Sequence, residues 1–357
     1  MRKVFMIGFS ENKGGVEKYI QTLSNNISKE KIEIVLSLPI MEFNQKKWIR
    51  PRNRHNYLKY YFFWRKFFKE NSFDAIYYNT CDIVSIDMLK FAKKAGVPVR
   101  IIHSHSSNNS RKLNFWHKSQ EQKNRKNLKK HATHCLACSK VAGDWMFGEN
   151  TEYKIINNAI ELSKFQYEVN NRIISRQKLG LKNELVIGMV GRLTELKNPE
   201  FGIKMFATLQ KLYFNCILLV VGEGERSESV QRLVLEYGLQ DKVRLLGRRE
   251  DVASIMSAID CFLMPSKFEG FPFAMVEAQA AGLPCVVSDN ISRETDLTGN
   301  VHFISLEAPL EQWAQKIIEI GVVKNRECAT GILKQKGYDI NDNIQYVERI
   351  LLNEGNL

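Results

Sequence analysis

Twice along its length the chain runs through the same alternation of short apolar stretches and amphipathic segments. That repetition constrains the fold more than any single motif does. The first round places apolar runs at residues 4–9, 32–38, 75–78, 97–102 and 135–139. The second places them at 186–190, 217–221, 243–246, 261–264 and 284–288. Helical patterning fills the gaps, as at 16–27 and at 86–95, which stops at Gly96. Strands separated by helices pair in parallel and are covered on both faces. Two rounds therefore predict two doubly wound α/β domains facing each other, and 357 residues is a length for about two domains. The expected division is a first domain over 1–165, a second over 166–337, and a terminal helix within 338–357 packing back on the first. The polar, weakly patterned stretch 161–183 reads as the linker.

Several classes of protein fall away. No apolar run approaches the ~20 residues that span a bilayer. The first eight residues are too short an apolar stretch for a secretory signal and read as a strand. Seven cysteines, odd in number and scattered, fit a reducing compartment better than a disulfide framework. A soluble intracellular protein is the expectation. Neither the G-x-G-x-x-G fingerprint of a dinucleotide fold nor a P-loop is present, which sets aside a Rossmann dehydrogenase and a P-loop ATPase.

Charge is unevenly placed. Residues 1–170 carry 30 Lys and Arg against 15 Asp and Glu, and the remainder carries 22 against 24. A basic half points to an anionic partner, nucleic acid or an acidic membrane surface. Most of the excess lies in segments 46–70 and 111–130, where Lys and Arg interleave with aromatics such as Trp64, Phe67, Phe115 and Trp116. Such a stretch suits anionic headgroups with rings at the interface, and equally an amphipathic helix packing its rings on a core.

In open parallel sheets ligands bind beyond the carboxyl ends of the strands, and residues with chemical potential recur there. Gly14 and Gly15 follow the first strand and open a helix, a place where N–H groups approach an anion; a Gly-Gly pair is also an ordinary turn. Arg192 and Lys197 follow the strand ending at Val190 and are suited to clamping a diphosphate, the one as a fork and the other as a point charge. Gly222 and the run Gly247-Arg248-Arg249 follow two further strands. After the strand ending at Met264 comes Glu269-Gly270-Phe271-Pro272-Phe273-Ala274, with Glu277 inside the ensuing helix. Pro272 suits a helix start. The N–H groups of Phe273 and Ala274 then face whatever lies above the helix, and Glu277 can accept two hydrogen bonds from a vicinal diol such as ribose. His103 and His105 have a spacing compatible with metal ligation, but no third ligand follows. Cys135 and Cys138 have redox-like spacing inside a strand, and read as core.

Taken together, Gly14-Gly15-Val16-Glu17, the stretches 100–106, 137–140 and 156–160, Val190-Gly191-Arg192-Leu193, Leu246-Gly247-Arg248 and 269–284 resemble the retaining family-4 nucleotide-sugar glycosyltransferases of GT-B fold. The likeness runs nearly end to end, and the chain is similar in particular to the EpsF-like enzymes of bacterial exopolysaccharide and capsule assembly. It implies that Arg192 and Lys197 hold the donor diphosphate, Glu277 the ribose, and Glu269 the donor sugar near the reacting carbon. Backbone at Arg248 or Arg249 would meet the base, and His103 would face the sugar. Gly222, Gly270, Phe271, Phe273 and Ala274 complete the donor-binding set, with Gly14 and Gly15 as a phosphate or acceptor loop. The family's Asn-Gly-Ile/Val-Asp stands here as Asn158-Ala159-Ile160-Glu161, which questions a turn, since Ala tolerates positive φ poorly.

The function so implied is transfer of a sugar from a nucleoside-diphosphate sugar, with UDP the family's usual nucleotide, to a polyprenyl-diphosphate-linked saccharide. No resident cofactor or metal is expected, and no nucleic acid. The place of work would be the cytoplasmic face of the cell membrane, reached through 46–70 and 111–130. A nucleotide-sugar 2-epimerase of the same fold, and a non-catalytic basic protein binding lipid or nucleic acid, stand as alternatives.

Overall fold

A computed structural model describes residues 1–8, 15–37, 56–106, 114–148, 151–269, 271–321 and 326–354. Gly14, Gly270 and residues 46–55 and 111–113 of the sequence reading lie outside these. The chain divides into two compact units, one of residues 1–158 with 340–357, the other of residues 159–339.

Unit 1 runs β1 (Arg2–Ile7), α1 (Gly15–Asn26), β2 (Ile32–Leu36), α2 (Tyr57–Glu70), β3 (Ala75–Thr80), α3 (Asp87–Lys94), β4 (Val99–Ser104), α4 (Phe115–Asn127), β5 (His134–Ala137), α5 (Lys140–Phe147) and β6 (Lys154–Ile155). Its six strands form one parallel sheet in the order β2-β1-β3-β4-β5-β6. The order reverses beside β1 because the chain first winds outward to β2 and then returns past β1 to β3.

Helix α2 shows why a run so rich in aromatics and lysine becomes helical. Asn56 caps it, its side chain accepting from the Lys59 N–H at 3.1 Å. Tyr60, Trp64, Phe67 and Phe68 then recur at helical spacing and are all buried. Trp64, Phe67 and Phe68, with Phe73, close around Phe5 at ring centroids 5.2–6.0 Å, and Tyr60 packs against Trp64. Four rings of the basic–aromatic segment thus belong to the core, while Tyr57, Leu58 and Phe62 are exposed. In α4 the balance differs: Phe115 and Trp116 are each 79% exposed, beside Lys118 on the same helix.

Unit 2 runs α6 (Leu162–Phe165), α7 (Val169–Lys178), β7 (Leu185–Val190), α8 (Pro199–Leu212), β8 (Cys216–Val221), α9 (Ser227–Glu236), β9 (Val243–Gly247), α10 (Val252–Ala258), β10 (Cys261–Met264), α11 (Phe273–Ala280), β11 (Cys285–Ser288), β12 (Val301–Ile304), α12 (Leu310–Gly321) and α13 (Thr330–Gln335). Its parallel sheet has the order β12-β11-β10-β7-β8-β9. β8 and β10 are buried along their whole length, as expected of strands covered on both faces.

The stretch read as a linker is corrected here, because α6 and α7 are integral to unit 2. Arg172 and Arg176, one turn apart on α7, donate to carbonyls at the end of α10 and both pair with Asp260, at 2.5 and 3.3 Å. Asp260 in turn accepts the Val186 N–H at 2.8 Å. Polar composition resembled a tether, but these charges bind a helix terminus, where unpaired carbonyls and the negative end of the dipole attract guanidinium.

After Asp339 the chain returns to unit 1 as α14 (Ile340–Leu352), which packs on α1 and β1 and buries Ile344, Val347 and Leu351. Glu348 accepts the Ser28 N–H at 2.5 Å, and Asn343 donates to the Asn157 carbonyl at 3.0 Å. Ala159 needs no left-handed turn. Among the described residues only Asn198 and Asn353 have positive φ without being glycine.

Candidate active site

At the carboxyl end of the second sheet, three neighbouring strands tie their exits together. The Gly191 N–H donates to the Val221 carbonyl, the Gly222 N–H to Gly247, and the Leu193 N–H to Glu223, at 2.8–3.0 Å. Gly222 has φ +131°, and a Cβ there would stand 1.9 Å from the Gly191 carbonyl oxygen. Only glycine fits.

The turn between Arg192 and Pro199 is fixed at both ends. Asn198 takes a left-handed conformation (φ 54°) ahead of Pro199, which starts α8, and its side chain donates to the Pro265 carbonyl at 3.1 Å. Lys267 N–H donates to the Leu196 carbonyl at 2.8 Å. These bonds hold the turn after β7 against the loop after β10. Between them opens a shallow pocket lined by Gly191, Arg192, Lys197, Pro199, Met264 and Ser266, among others.

The two cations differ in their surroundings. Arg192 is exposed, and its guanidinium makes no hydrogen bond or ion pair among the described residues. Lys197 pairs with Glu269 Oε1, and the Ser266 hydroxyl donates to that same oxygen at 3.0 Å. Glu269 Oε2 has neither of these bonds. Ser266 is fully buried and its carbonyl accepts from the Ser288 hydroxyl at 2.6 Å. A bridge between Glu269 and Ile291 fixes the loop beside β11.

Beyond Gly270, Pro272 occupies the cap of α11, so Phe273 and Ala274 form its first turn. The first N–H groups of a helix have no intrahelical acceptor and carry its positive end. Glu277 lies one turn on, 3% exposed. Arg248 follows β9 with its N–H on Glu223 Oε1 at 3.3 Å.

Of the residues singled out in the sequence, unit 2 gathers Arg192, Lys197, Glu269 and the strand-end glycines, Gly222 among them, around one sheet end. Ala274, Phe273 and Glu277 follow on α11. Sequence reasoning assigned no part to Ser266 or Glu223. Ser266 sits three residues before Glu269 in a tight loop, the spacing of a local side-chain bond, and was the legible sign.

In unit 1, Gly15 is the first residue of α1. His103 is enclosed at the end of β4, 0% exposed. Its Nδ1 lies 2.9 Å from the Tyr77 hydroxyl, which lies 2.7 Å from the Tyr19 hydroxyl, while Nε2 is buried without a partner among the described residues. Burial and the neighbouring His105 push its pKa well below the ordinary histidine value. His105 Nε2 bonds Asn79 Oδ1 at 2.9 Å, and desolvation lowers its pKa to about 3. Among the described residues no three His, Cys, Asp or Glu side chains gather as a metal site. All seven cysteines are free thiols.

Residues 171–320 match the family model described as Glycosyl transferases group 1. EpsF of Bacillus subtilis (strain 168), which carries a glycosyltransferase name, is 29% identical over 96% of this chain and 94% of its own length. The UDP-Gal:alpha-D-GlcNAc-diphosphoundecaprenol alpha-1,3-galactosyltransferase of Escherichia coli is 34% identical over 43% of this chain and 41% of its own. Among solved structures, Anabaena HepE in complex with UDP and glucose superposes with a TM-score of 0.78 at 17% identity, covering 98% of this chain and 99% of that one.

Proposed function

This chain is a glycosyltransferase with the GT-B fold, and we propose that it moves a sugar, with retention, from a UDP-sugar to a polyprenyl-diphosphate-linked saccharide. The observation that carries this reading is that Arg192 and Lys197 line one pocket and Glu269 is paired to Lys197 beside it, with the start of α11 and Glu277 following in the chain. The donor leaves as a nucleoside diphosphate, so catalysis consists largely of stabilising its growing charge and orienting the acceptor. Arg192 and Lys197 take the two phosphates, and the N–H groups of Phe273 and Ala274 add the positive end of α11. Glu269 keeps Oε1 on Lys197 and Ser266 and offers Oε2 to a sugar hydroxyl. Glu277 receives the ribose diol. Gly222 admits the donor close to the backbone, Phe271 lines it, and Arg248 meets the base. His103 is enclosed, so it bonds the sugar only when the residues over Nε2 move aside, and Gly14 and Gly15 serve phosphate or acceptor. No carboxylate in this reading serves as a nucleophile, so the departing phosphate oxygen accepts the proton of the attacking hydroxyl on the same face of the sugar.

The lipid-linked acceptor is supported by the name of the Escherichia coli relative. The exposed Phe115 and Trp116 beside a lysine-rich helix would rest on anionic headgroups at the cytoplasmic membrane face. Calorimetric titration with UDP, GDP, ADP and TDP, repeated on Glu277→Ala, tests the donor site. One nucleotide binding at micromolar strength and weakening at least tenfold in the variant is expected; no binding of any at millimolar concentration would overturn the reading.

A further inference from the structure

The buried chain Tyr19–Tyr77–His103 has two ways to arrange its protons, and they are not equivalent. In one, the Tyr19 hydroxyl donates to Tyr77 and the Tyr77 hydroxyl donates to His103 Nδ1, leaving the imidazole proton on Nε2. In the other, Nδ1–H donates to Tyr77 and Tyr77 to Tyr19, so the Tyr19 O–H points at nothing. Tyr19 and Tyr77 are both buried, and among the described residues neither hydroxyl has another partner. The second arrangement strands a buried O–H donor and leaves Nε2 as an unused acceptor as well. The first strands only the Nε2–H, at the one atom of the ring without a partner.

The second histidine obeys the same logic. Asn79 spends its amide N–H on the Ile7 carbonyl at 3.1 Å, so its Oδ1 faces His105 and fixes that proton on Nε2. The two rings lie 4.0 Å apart, centroid to centroid, which disfavours charging either of them.

We propose that Tyr77, backed by Tyr19, is a positioning residue that holds His103 neutral with its proton on Nε2, so that His103 acts only as a hydrogen-bond donor. In the transfer reaction, on which the kinetic part of this proposal rests, such a ring donates to a sugar oxygen once the residues over Nε2 move aside. It cannot accept the proton of the attacking hydroxyl.

The test is nitrogen NMR on the full-length protein with 15N-labelled imidazoles, His103 being assigned by its loss in His103→Gln. The expected spectrum has Nδ1 unprotonated and Nε2 protonated at pH 7. Tyr77→Phe removes the donor and should give a mixed tautomer, with kcat/KM for the nucleotide-sugar falling about tenfold and UDP affinity unchanged. Tyr19→Phe should keep the wild-type tautomer, since Tyr77 still has only Nδ1 to donate to; the opposite polarity would be disturbed by it. A proton found on Nδ1 of the wild type, or a tautomer altered by Tyr19→Phe, overturns the proposal. The spectra do not depend on transfer, so a wild-type protein that transfers nothing would sink the functional reading and leave the tautomer assignment to be judged alone.

Discussion

Replacing Arg192 by alanine separates charge in the pocket from the fold around it. The guanidinium is exposed and makes no bond to the described residues, so the substitution should change stability by no more than about 0.5 kcal/mol. That is a melting shift of roughly 1–2 °C. Its cost in catalysis is larger. Two unit charges about 4 Å apart attract by roughly 4 kcal/mol at an effective dielectric near 20, and about 1.4 kcal/mol is tenfold in rate. Water entering the open pocket recovers part of that, so kcat/KM should fall about 10²–10³-fold. Lys197→Ala is the internal contrast. It strips the partner from Glu269, whose side chain is 13% exposed, and should lower the melting temperature by several degrees as well as activity. The assay is steady-state transfer beside thermal melts of both variants. A loss under fivefold in Arg192→Ala, or a melting drop equal to that of Lys197→Ala, would refute the division of roles.

Other outcomes follow from the same geometry. Asp260→Asn should cost about 3–5 kcal/mol, read as a lower denaturant midpoint, because it leaves Arg172 and Arg176 against each other. Gly222→Ala should fold less stably and bind UDP at least tenfold more weakly, since the Gly191 carbonyl must move. Thiol titration at pH 8 should find one fast cysteine, the exposed Cys328, while burial lifts Cys81 and Cys216 to about 11 and Cys135 and Cys138 to about 12. Acid should destabilise unit 1. His103 and His105 stay neutral when folded but protonate near 6.5 when unfolded, so stability falls below that pH by about 1.4 kcal/mol per unit for each. Melts from pH 7.5 to 5 should slope less steeply in the His103→Gln/His105→Gln double variant.

The two sheets were legible because strands buried on both faces write themselves as continuous apolar runs, as Cys216–Val221 does. The pocket was legible for a related reason: glycines, Arg192, Lys197 and Glu269 stand just past strand ends, where a parallel sheet presents its ligands. Other features depended on long-range partners that local pattern does not carry. α7 looked like a tether until Asp260, over 80 residues away, explained its arginines. Trp64 and Phe67 could have faced lipid or core, and Phe5 decided it. His103 was visible at a strand end, but its enclosure by Tyr19 and Tyr77 comes from residues distant in the chain.

The route of the chain through its two units has a consequence for biosynthesis. Unit 2 is one uninterrupted stretch, whereas unit 1 lacks α14 until residues beyond 339 have been made. On the ribosome the middle of the sequence can therefore reach its final state before the beginning does, reversing the usual order. Until then the surface of α1 and β1 that α14 covers stays bare, and so does the face of α14 that buries Ile344, Val347 and Leu351, for chaperones to cover. A nonsense mutation near residue 340 would spare unit 2 entirely and yet leave unit 1, some 180 residues earlier, unfinished.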